Sequence, residues 1–263
     1  MYQLLFYLEK LLLITIQEIH YKITTKFGIN MSVRISLLKK CFGNKIAVDI
    51  PDFTISDGEL IGIVGNNGAG KTTLFRLILD LIETNEGHIY INDENSAESE
   101  NWKTFTGAFI DDSFLIDFLT PEEYFEFIAK VNGINQTTLQ RRLERFSSFM
   151  ANEILGQSKL IRDFSAGNKQ KIGIISSFIN MPQLLILDEP FNYLDPSSQN
   201  ILMDILTNYN REIGATILVS SHNLQHTINI SSRIALMESG KIIKDLKNTD
   251  GNMCEELEEY FRT

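Results

Sequence analysis

The residues best suited to chemistry form the octet Gly65-Asn66-Asn67-Gly68-Ala69-Gly70-Lys71-Thr72, which fits the pattern G-x-x-x-x-G-K-[ST]. Glycines allow turns in which successive backbone N–H groups point at phosphate oxygens. The lysine of such a loop reaches the β- and γ-phosphates, and the threonine hydroxyl ligates Mg²⁺. An apolar run at residues 61–64 precedes the octet and a helix-like segment at 74–79 follows it. We therefore predict a loop that binds a nucleotide polyphosphate, with the positive end of the helix facing the anion.

A pair of carboxylates, Asp188 and Glu189, follows the apolar run Leu184-Leu185-Ile186-Leu187. A run without alternation is typical of a strand buried on both faces of a parallel sheet, and ligands bind beyond the carboxyl ends of such strands. We expect Asp188 to hold Mg²⁺ through its water shell, and Glu189 to polarise an attacking water as a general base. Two solvated charges at a strand end are the alternative, which the octet in the same chain disfavours.

A third segment, Phe164-Ser165-Ala166-Gly167-Asn168, opens a helix that runs to about residue 179. Ser165 is a natural N-cap. Its hydroxyl, the Gly167 amide and the positive end of the helix dipole would together form an anion site. An ordinary capped helix is the alternative, but the position of the segment just upstream of the acidic strand favours the anion site.

The elements that must position these residues alternate between strand-like and helical patterns, as in a parallel α/β sheet. The pattern predicts helical structure over 121–149, with a second helix at 136–150, and an acidic amphipathic helix at 255–261. Residues 87–91 indicate an edge hairpin. The other strand-like runs lie at 33–38, 47–50, 53–56, 61–64, 105–110, 184–187, 216–220 and 234–237.

Composition narrows the class of protein. The chain has 263 residues, a hydrophobic fraction of 43% and a net charge of −10, which fits a globular domain and argues against a broad basic surface for duplex DNA. Cys41 and Cys254 are far apart and have no metal-type spacing, as expected in a reducing compartment.

The first 31 residues are expected to be an N-terminal extension, with Met31-Ser32 as the natural start of the domain. The most apolar stretch, residues 4–19, is interrupted by Glu9-Lys10 and Gln17-Glu18, so it falls short of a membrane span, and it lacks the features of a signal peptide. A poorly ordered extension and an apolar helix lying on a membrane or a partner both remain open.

Together these motifs resemble the nucleotide-binding domain of ABC transporters, over about residues 32–245. The resemblance implies a P-loop NTPase (RecA-like) α/β fold with a mostly parallel core, an antiparallel β flank and an inserted helical subdomain at about 112–165, within a domain of residues 32–263. It implies ATP and Mg²⁺ as ligands. The nucleotide contacts it assigns are Phe42, Gly65, Asn66, Asn67, Gly68, Ala69, Gly70, Lys71, Thr72, Thr73, Ser165, Gly167 and Asp195. The metal ligands it assigns are Thr72, Asp188 and Asp111, and the catalytic residues are Glu189, His222 and Lys71.

Individual positions match the family's pattern to different degrees. Phe42 stands where an aromatic ring stacks on adenine, and Asp195 matches the loop that links the sites of two protomers. The family's signature commonly begins Leu-Ser-Gly-Gly-Gln, whereas Ala166 replaces its first glycine here. Asp111 replaces the glutamine that many members carry before the helical lobe, as in a subset of export-type domains. We expect Asp111 to ligate Mg²⁺ or its water.

His222 and His226 lie four residues apart, so on a helix they would share a face, and a metal site is conceivable. The zinc-protease pattern needs Glu directly after the first histidine, and Asn223 stands there. His222 also ends an apolar strand that points at the phosphate site. We therefore interpret His222 as the γ-phosphate contact and His226 as a helix-surface or packing residue.

The resemblance implies an ATPase subunit that dimerises around two ATP molecules, with a second copy of itself or with a close homologue. The dimer would drive export through a separate membrane permease, on the inner face of the cell membrane. The loop at 111–119 and its adjoining helices are the expected docking groove, with core packing as the alternative. A soluble ABC-type ATPase and a nucleotide-binding partner with weak hydrolysis are the competing interpretations. No nucleic-acid partner is expected, because the chain is acidic.

Overall fold

The structure, a computed structural model, describes residues 32–222 and 224–248. A four-stranded antiparallel sheet has the order β2-β1-β4-β5. Its first two strands, β1 (Val33–Phe42) and β2 (Lys45–Ile55), form a long hairpin, and β4 (Glu86–Ile91) pairs with β1 and with β5 (Glu94–Asn95). The predicted antiparallel flank is thereby confirmed.

A six-stranded sheet with the order β10-β9-β3-β8-β7-β6 forms the core. Five of its strands run parallel, and β10 pairs antiparallel with β9 at one edge. The carboxyl ends of the parallel strands therefore meet at one edge of the sheet, where α/β proteins bind ligands. The strands are β3 (Leu60–Val64), β6 (Thr106–Phe109), β7 (Leu184–Leu187), β8 (Thr216–Ser221), β9 (Arg233–Glu238) and β10 (Lys241–Lys247).

Both faces of the core sheet are covered. Leu184 and Ile186 of β7 belong to a cluster shared with the antiparallel sheet and the helix after β3. Leu185 and Leu187 point to the other face, into a cluster built by the remaining helices. The run without alternation thus indicates a strand buried on both faces, as predicted. The helices are α1 (Lys71–Ile78), α2 (Pro121–Val131), α3 (Gln136–Glu144), α4 (Ser147–Met150), α5 (Ala166–Phe178), α6 (Pro196–Ile213) and α7 (Leu224–Ile230).

Two predicted elements have different bounds in the structure. The runs 47–50 and 53–56 are one strand, β2, which continues through Pro51; proline is tolerated there because β2 is an edge strand. The predicted helix 136–150 divides into α3 and α4 around Phe146, whose ring packs 5.3 Å from that of Phe178.

The remaining predictions about organisation have different outcomes. The elements from Asp112 to Asp163 are all helical, and the division of the chain into a core and a helical subdomain stays a prediction. The extension at 1–31 and the acidic helix at 255–261 lie outside the described residues. Among the described helices, none combines the length and apolar character needed to cross a bilayer.

Candidate nucleotide site

The octet at residues 65–72 forms the connection between β3 and α1, at the carboxyl edge of the parallel sheet. The Gly65 N–H donates to the Ser221 carbonyl at 3.3 Å, which ties the loop to the end of β8. Gly70 has φ 109°, and a Cβ there would lie 2.5 Å from the Ala47 carbonyl oxygen. Glycine is therefore required at position 70, because both the left-handed conformation and the close approach exclude a side chain.

Lys71 is the charged centre of the loop, and it is 5% exposed. Its Nζ donates to the Gly65 carbonyl at 2.7 Å and lies 3.2 Å from Oε1 of Glu189. A buried ammonium is costly unless it is paired and hydrogen-bonded. Glu189 supplies the negative partner of Lys71 in the free protein, and an anion bound in the loop would have to replace it.

Asp188 is a buried carboxylate held by hydroxyl groups, which come from two different elements. The Thr72 hydroxyl donates to its Oδ2 at 2.5 Å, and the Ser220 hydroxyl donates to its Oδ1. Burial raises the pKa of Asp188, and the bonds from Ser220 and Thr72 and the charge of Lys71 oppose this rise. Carboxylate and hydroxyl oxygens on three elements form the type of donor set that Mg²⁺ prefers, so the residues fit a divalent cation.

Glu189 is hydrogen-bonded to residues from three other segments of the site. Its Oε2 accepts hydrogen bonds from His222, at 2.7 Å from Nδ1 and 3.2 Å from the backbone nitrogen. Its own backbone N–H donates to the Ser220 hydroxyl at 2.8 Å, and its carbonyl accepts from the Gln170 amide at 3.1 Å. Glu189 has φ 46°, a left-handed conformation that costs energy in a residue other than glycine. Two bonds to the carboxylate and two to the backbone thus hold Glu189 beside Lys71.

Asp111 lies at the same edge of the sheet, two residues after Phe109, whose carbonyl accepts from the Asp188 N–H at 2.9 Å. Its carboxylate is bound by Arg76 at 3.0 Å and by the backbone N–H and hydroxyl of Ser113. Burial acts to raise the pKa of Asp111, but the Ser113 bonds and the Arg76 charge together hold it below its usual value. Asp111 is thus bonded to Arg76 and Ser113, and not to the hydroxyl groups that hold Asp188.

The signature residues Ser165 and Gly167 lie at the start of α5, apart from the phosphate loop. Ser165 caps α5 as predicted, accepting the Asn168 N–H at 3.2 Å. A Cβ on Gly167 would lie 2.6 Å from the Tyr193 carbonyl oxygen, so the start of α5 packs against the segment that leads to Asp195. Asp195 caps α6, and the hydrogen bond from the Ser198 hydroxyl is the main reason that its pKa is lowered. The structure brings these residues together around Tyr193.

Phe42 and Thr73 complete the predicted set of nucleotide contacts, and His226 is the histidine that the sequence predicts to lie outside it. Phe42 ends β1 with 54% of its surface exposed, and Lys40 Nζ lies 5.2 Å from its ring centroid. Thr73 is half-buried in the first turn of α1. The ring of His226 lies 5.2 Å from that of Phe191, a packing contact that agrees with its interpretation as a packing residue.

Sequence reasoning missed Ser220, Gln170 and Arg76, which orient Asp188, Glu189 and Asp111 respectively. Ser220 left a usable signal, because a polar residue at the carboxyl end of a buried strand faces the ligand edge. Gln170 lies among other polar residues at the start of α5, and Arg76 is flanked by apolar residues of α1. The sequence offers no comparable signal for either of them.

Comparisons with known proteins identify the family of the chain. The profile of a family described as ABC transporter matches residues 48–192. The lantibiotic transport ATP-binding protein SrtF of Streptococcus pyogenes is 31% identical over 231 residues, which cover 87% of this chain and 95% of that protein. The methionine import ATP-binding protein MetN 2 of Bacillus thuringiensis subsp. konkukian is 30% identical, over 77% of this chain and 60% of that protein.

The chain belongs to the ABC transporter family. It is an ATP-binding subunit of an ABC transporter and an ATPase of that family. A solved ATP-binding subunit of an ABC transporter superposes with a TM-score of 0.77 at 27% identity, over 88% of this chain and 98% of the other. A dimeric ATP-binding cassette bound to ADP and Pi shares the fold, with a TM-score of 0.72 at 22% identity, over 82% and 98%. These similarities confirm the predicted family and fold class.

Proposed function

We propose that two copies of this ABC transporter subunit close around two ATP molecules and drive the export of a substrate through a separate membrane permease. The observation that carries the proposal is the hydrogen-bonded cluster of Lys71, Asp188, Glu189 and His222 at the carboxyl edge of the sheet. A cation for phosphate, a carboxylate for the metal and a base for water are the groups that phosphoryl transfer needs.

The octet and Thr73 would hold the phosphates. Backbone N–H groups at the exposed positions Asn66, Asn67 and Gly68 are accessible to an anion, and α1 begins directly behind them. The positive end of that helix favours negative charge at this point. Phe42 offers an exposed ring on which adenine would stack.

The metal site would consist of Thr72, Asp188 and Asp111, which bind the ion directly or through water. When bound, Mg²⁺ neutralises the charge that develops on the phosphate oxygens. Before binding, Asp188 shares its two oxygens between hydroxyl donors. A buried carboxylate without a cation on it is destabilising, so the free site favours a positive ligand.

Glu189 would act as the general base, taking a proton from the water whose oxygen attacks the γ-phosphorus while the bond to the bridging oxygen breaks. In the free protein the ammonium of Lys71 lies 3.2 Å from this carboxylate. Phosphate oxygens compete for the same ammonium, so a bound nucleotide releases Glu189 Oε1 for water. His222 uses Nδ1 to bind Glu189, and its second ring nitrogen is left for the γ-phosphate.

The partner's site would be completed by Ser165, Gly167 and Asp195. Ser165 and Asp195 are exposed, and α5 begins at this surface without an acidic residue in its first turn. Its N-terminus therefore presents partial positive charge to an incoming anion. Placed across a dimer interface, it would supply the positive charge that an arginine supplies in other phosphoryl-transfer enzymes.

The loop at 111–119 would dock the permease, on the inner face of the cell membrane. Phe114 and Phe118 are 49% and 65% exposed, whereas Leu115 is part of the core, so the loop is divided between docking and packing. A cleft of about 280 Å³ lies beside Phe114. Support for export comes from Asp111, which resembles the residue of a subset of export-type domains. The name of the lantibiotic transport relative gives no direction, and the methionine relative is named for import. The acidic charge of the chain opposes a nucleic-acid partner.

The test is Glu189→Gln, which keeps the shape of the side chain and removes the base. We expect ATP turnover to fall by about 10²- to 10⁴-fold, while ATP binding persists and an ATP-bound dimer accumulates in size-exclusion chromatography. Glu153→Gln, the same change at an exposed position, should leave turnover unchanged. Unchanged turnover in Glu189→Gln would refute the assigned base.

A further inference from the structure

The ion pair between Arg76 and Asp111 connects the two ends of the candidate site. Arg76 lies on α1, four residues after Thr72, so the two side chains share one face of the helix. Thr72 bonds Asp188 at one end of this face. Arg76 reaches the loop after β6 at the other end, with Nη2 3.0 Å from Asp111 Oδ2. One helix therefore carries a contact to each of two expected metal ligands.

Both oxygens of the Asp111 carboxylate are already engaged. Oδ2 accepts from Arg76, and Oδ1 accepts from the backbone N–H and the hydroxyl of Ser113. A metal ion that uses this carboxylate must therefore weaken or displace one of these bonds. The bond to Arg76 is the charged one, and its like charge would also oppose a cation at the same oxygen.

The ion pair is well suited to exchange. Its side chains are 40% and 34% exposed, and ion pairs of such exposure are weak because water competes for both partners. Arg76 is also incompletely bonded, because its Nε is buried and has no hydrogen-bond partner among the described residues. A buried unsatisfied donor is unfavourable, so the position that Arg76 adopts beside Asp111 does not satisfy all of its donors.

We propose that Arg76 is a positioning residue that holds Asp111 off the metal site until Mg²⁺ competes for the carboxylate, and that it thereby sets the Mg²⁺ concentration at which nucleotide is retained. The inference rests on the proposed function, in which Asp111 is a ligand of the metal. It assigns a role to a residue outside the nucleotide-binding motifs.

Movement of Asp111 from Arg76 to Mg²⁺ would change the packing in the cleft beside Phe114. Ile110 and Phe114 flank Asp111 in the chain and line this cleft together with Leu79 and Trp102. Trp102 is the single tryptophan of the 263 residues, and it is buried, with its Nε1 bonded to the Ser96 carbonyl. Its fluorescence therefore reports on the packing around the loop that carries Asp111, independently of hydrolysis.

The experiment measures retention of a fluorescent, hydrolysis-resistant ATP analogue by the full chain as Mg²⁺ is titrated. Arg76→Met removes the charge and keeps the length of the side chain. We expect the Mg²⁺ concentration at half-saturation to fall about two- to fivefold, the range that corresponds to releasing an exposed ion pair. In the Asp111→Asn background, Arg76→Met should produce no further fall. Arg76→Lys, which keeps a positive charge, should lie between wild type and Arg76→Met.

Controls separate this role from bulk charge and from misfolding. Arg211→Met removes one charge from an exposed arginine bonded to Asn208, and it should leave the Mg²⁺ dependence unchanged. Thermal melting without nucleotide verifies that each variant is folded. Addition of Mg²⁺ to the analogue complex should change Trp102 emission in the wild type and not in Asp111→Asn.

The outcomes distinguish the inference from the proposed function. If the wild type binds the analogue with a Mg²⁺ dependence, but Arg76→Met shifts it equally in both backgrounds, or in neither, the positioning role is overturned and the metal site stands. If the wild type shows no Mg²⁺ dependence, and Lys71→Ala binds the analogue as well as the wild type does, the proposed site and the inference fail together.

Discussion

Two regions of the molecule differ in how their polar side chains are arranged. The phosphate end comprises Lys71, Thr72, Asp188, Glu189 and Ser220, and the signature end comprises Ser165, Gly167 and Asp195. At the phosphate end, charged groups are largely buried and bonded to one another across the loop, β7 and β8. At the signature end, Ser165 and Asp195 are exposed, and within residues 32–222 and 224–248 their side chains bond to the first turns of their own helices. The first arrangement holds a ligand inside one chain, whereas the second presents groups outward.

The energetic consequences also differ. A buried charge that is bonded to neutral groups leaves the free protein less stable than an apolar core would, and binding of a counter-charge recovers this loss. An exposed cap contributes to helix stability whether or not a ligand is present. We therefore expect the buried charges of the phosphate end to lower the stability of the free protein and to favour ligand binding. The signature end should not lower that stability.

Asp188→Asn tests this contrast most strongly. The amide keeps the shape of the side chain and removes the charge, so we expect Mg²⁺-dependent ATP affinity to fall by about 10- to 100-fold, the range for a lost charged contact. The nucleotide-free protein should melt at a higher temperature than the wild type. Saturating Mg²⁺ and ATP should raise the melting temperature of the wild type and scarcely that of the variant.

The extra stability expected for nucleotide-free Asp188→Asn, relative to the wild type, should change with pH in a defined direction. Because burial raises the pKa of Asp188 above 3.8 in the folded state, the carboxyl contributes most to stability when protonated, and the contribution is lost as the pH rises through the folded-state pKa. The stability advantage of Asp188→Asn should therefore be small near pH 3.8 and grow with pH. An advantage that shrinks as the pH rises would contradict the assignment of a destabilising buried charge.

Local signals in the sequence predict four residues of the phosphate end (Lys71, Thr72, Asp188 and Glu189), although not Ser220, and they also predict the Ser165 cap at the signature end. The octet, the apolar run before Asp188 and the serine that caps α5 each encode their geometry within a few residues. Register and loop conformation then follow from strand burial and from glycine. The same locality allowed the carboxyl ends of β3, β7 and β8 to be placed at one edge.

The contacts between distant elements could not be predicted. The bond from Arg76 to Asp111 spans 35 residues, and that from Ser220 to Asp188 spans 32; neither has a periodic or spacing signal. The sequence predicts two strands divided at Pro51, because proline marks turns. The structure shows one strand, β2, in which the proline is tolerated because β2 lies at the sheet edge. Tertiary context decides such cases.

Ser165→Ala tests the signature end. Loss of the hydroxyl should reduce ATP turnover by about 10- to 100-fold if it donates to the partner's nucleotide, while ATP affinity of the single protomer stays unchanged. Loss of the cap should lower the free energy of unfolding by about 1 kcal/mol. The comparison fails if turnover is unaffected, or if the isolated protomer binds ATP less tightly.

Two matched variants separate the cap from the contact. Asn135→Ala removes the equivalent cap from α3, where the Asn135 side chain accepts the Thr138 N–H at 2.9 Å, and it should lower stability with little effect on turnover. Ser165→Asp should restore the cap and yet place a negative charge towards the phosphate, so stability should recover and turnover should not.

Ala166→Gly is the smallest and sharpest change. Ala166 is exposed at the start of α5, and glycine costs at most about 1 kcal/mol there. Its methyl group contacts the partner only if the signature end closes on a second protomer. We expect the ATP concentration for half-maximal turnover to fall by less than about threefold, with unchanged ATP affinity in the monomer. An altered monomer affinity would mean that the two ends act within one chain, because an outward methyl group can influence a distant loop only through the fold itself.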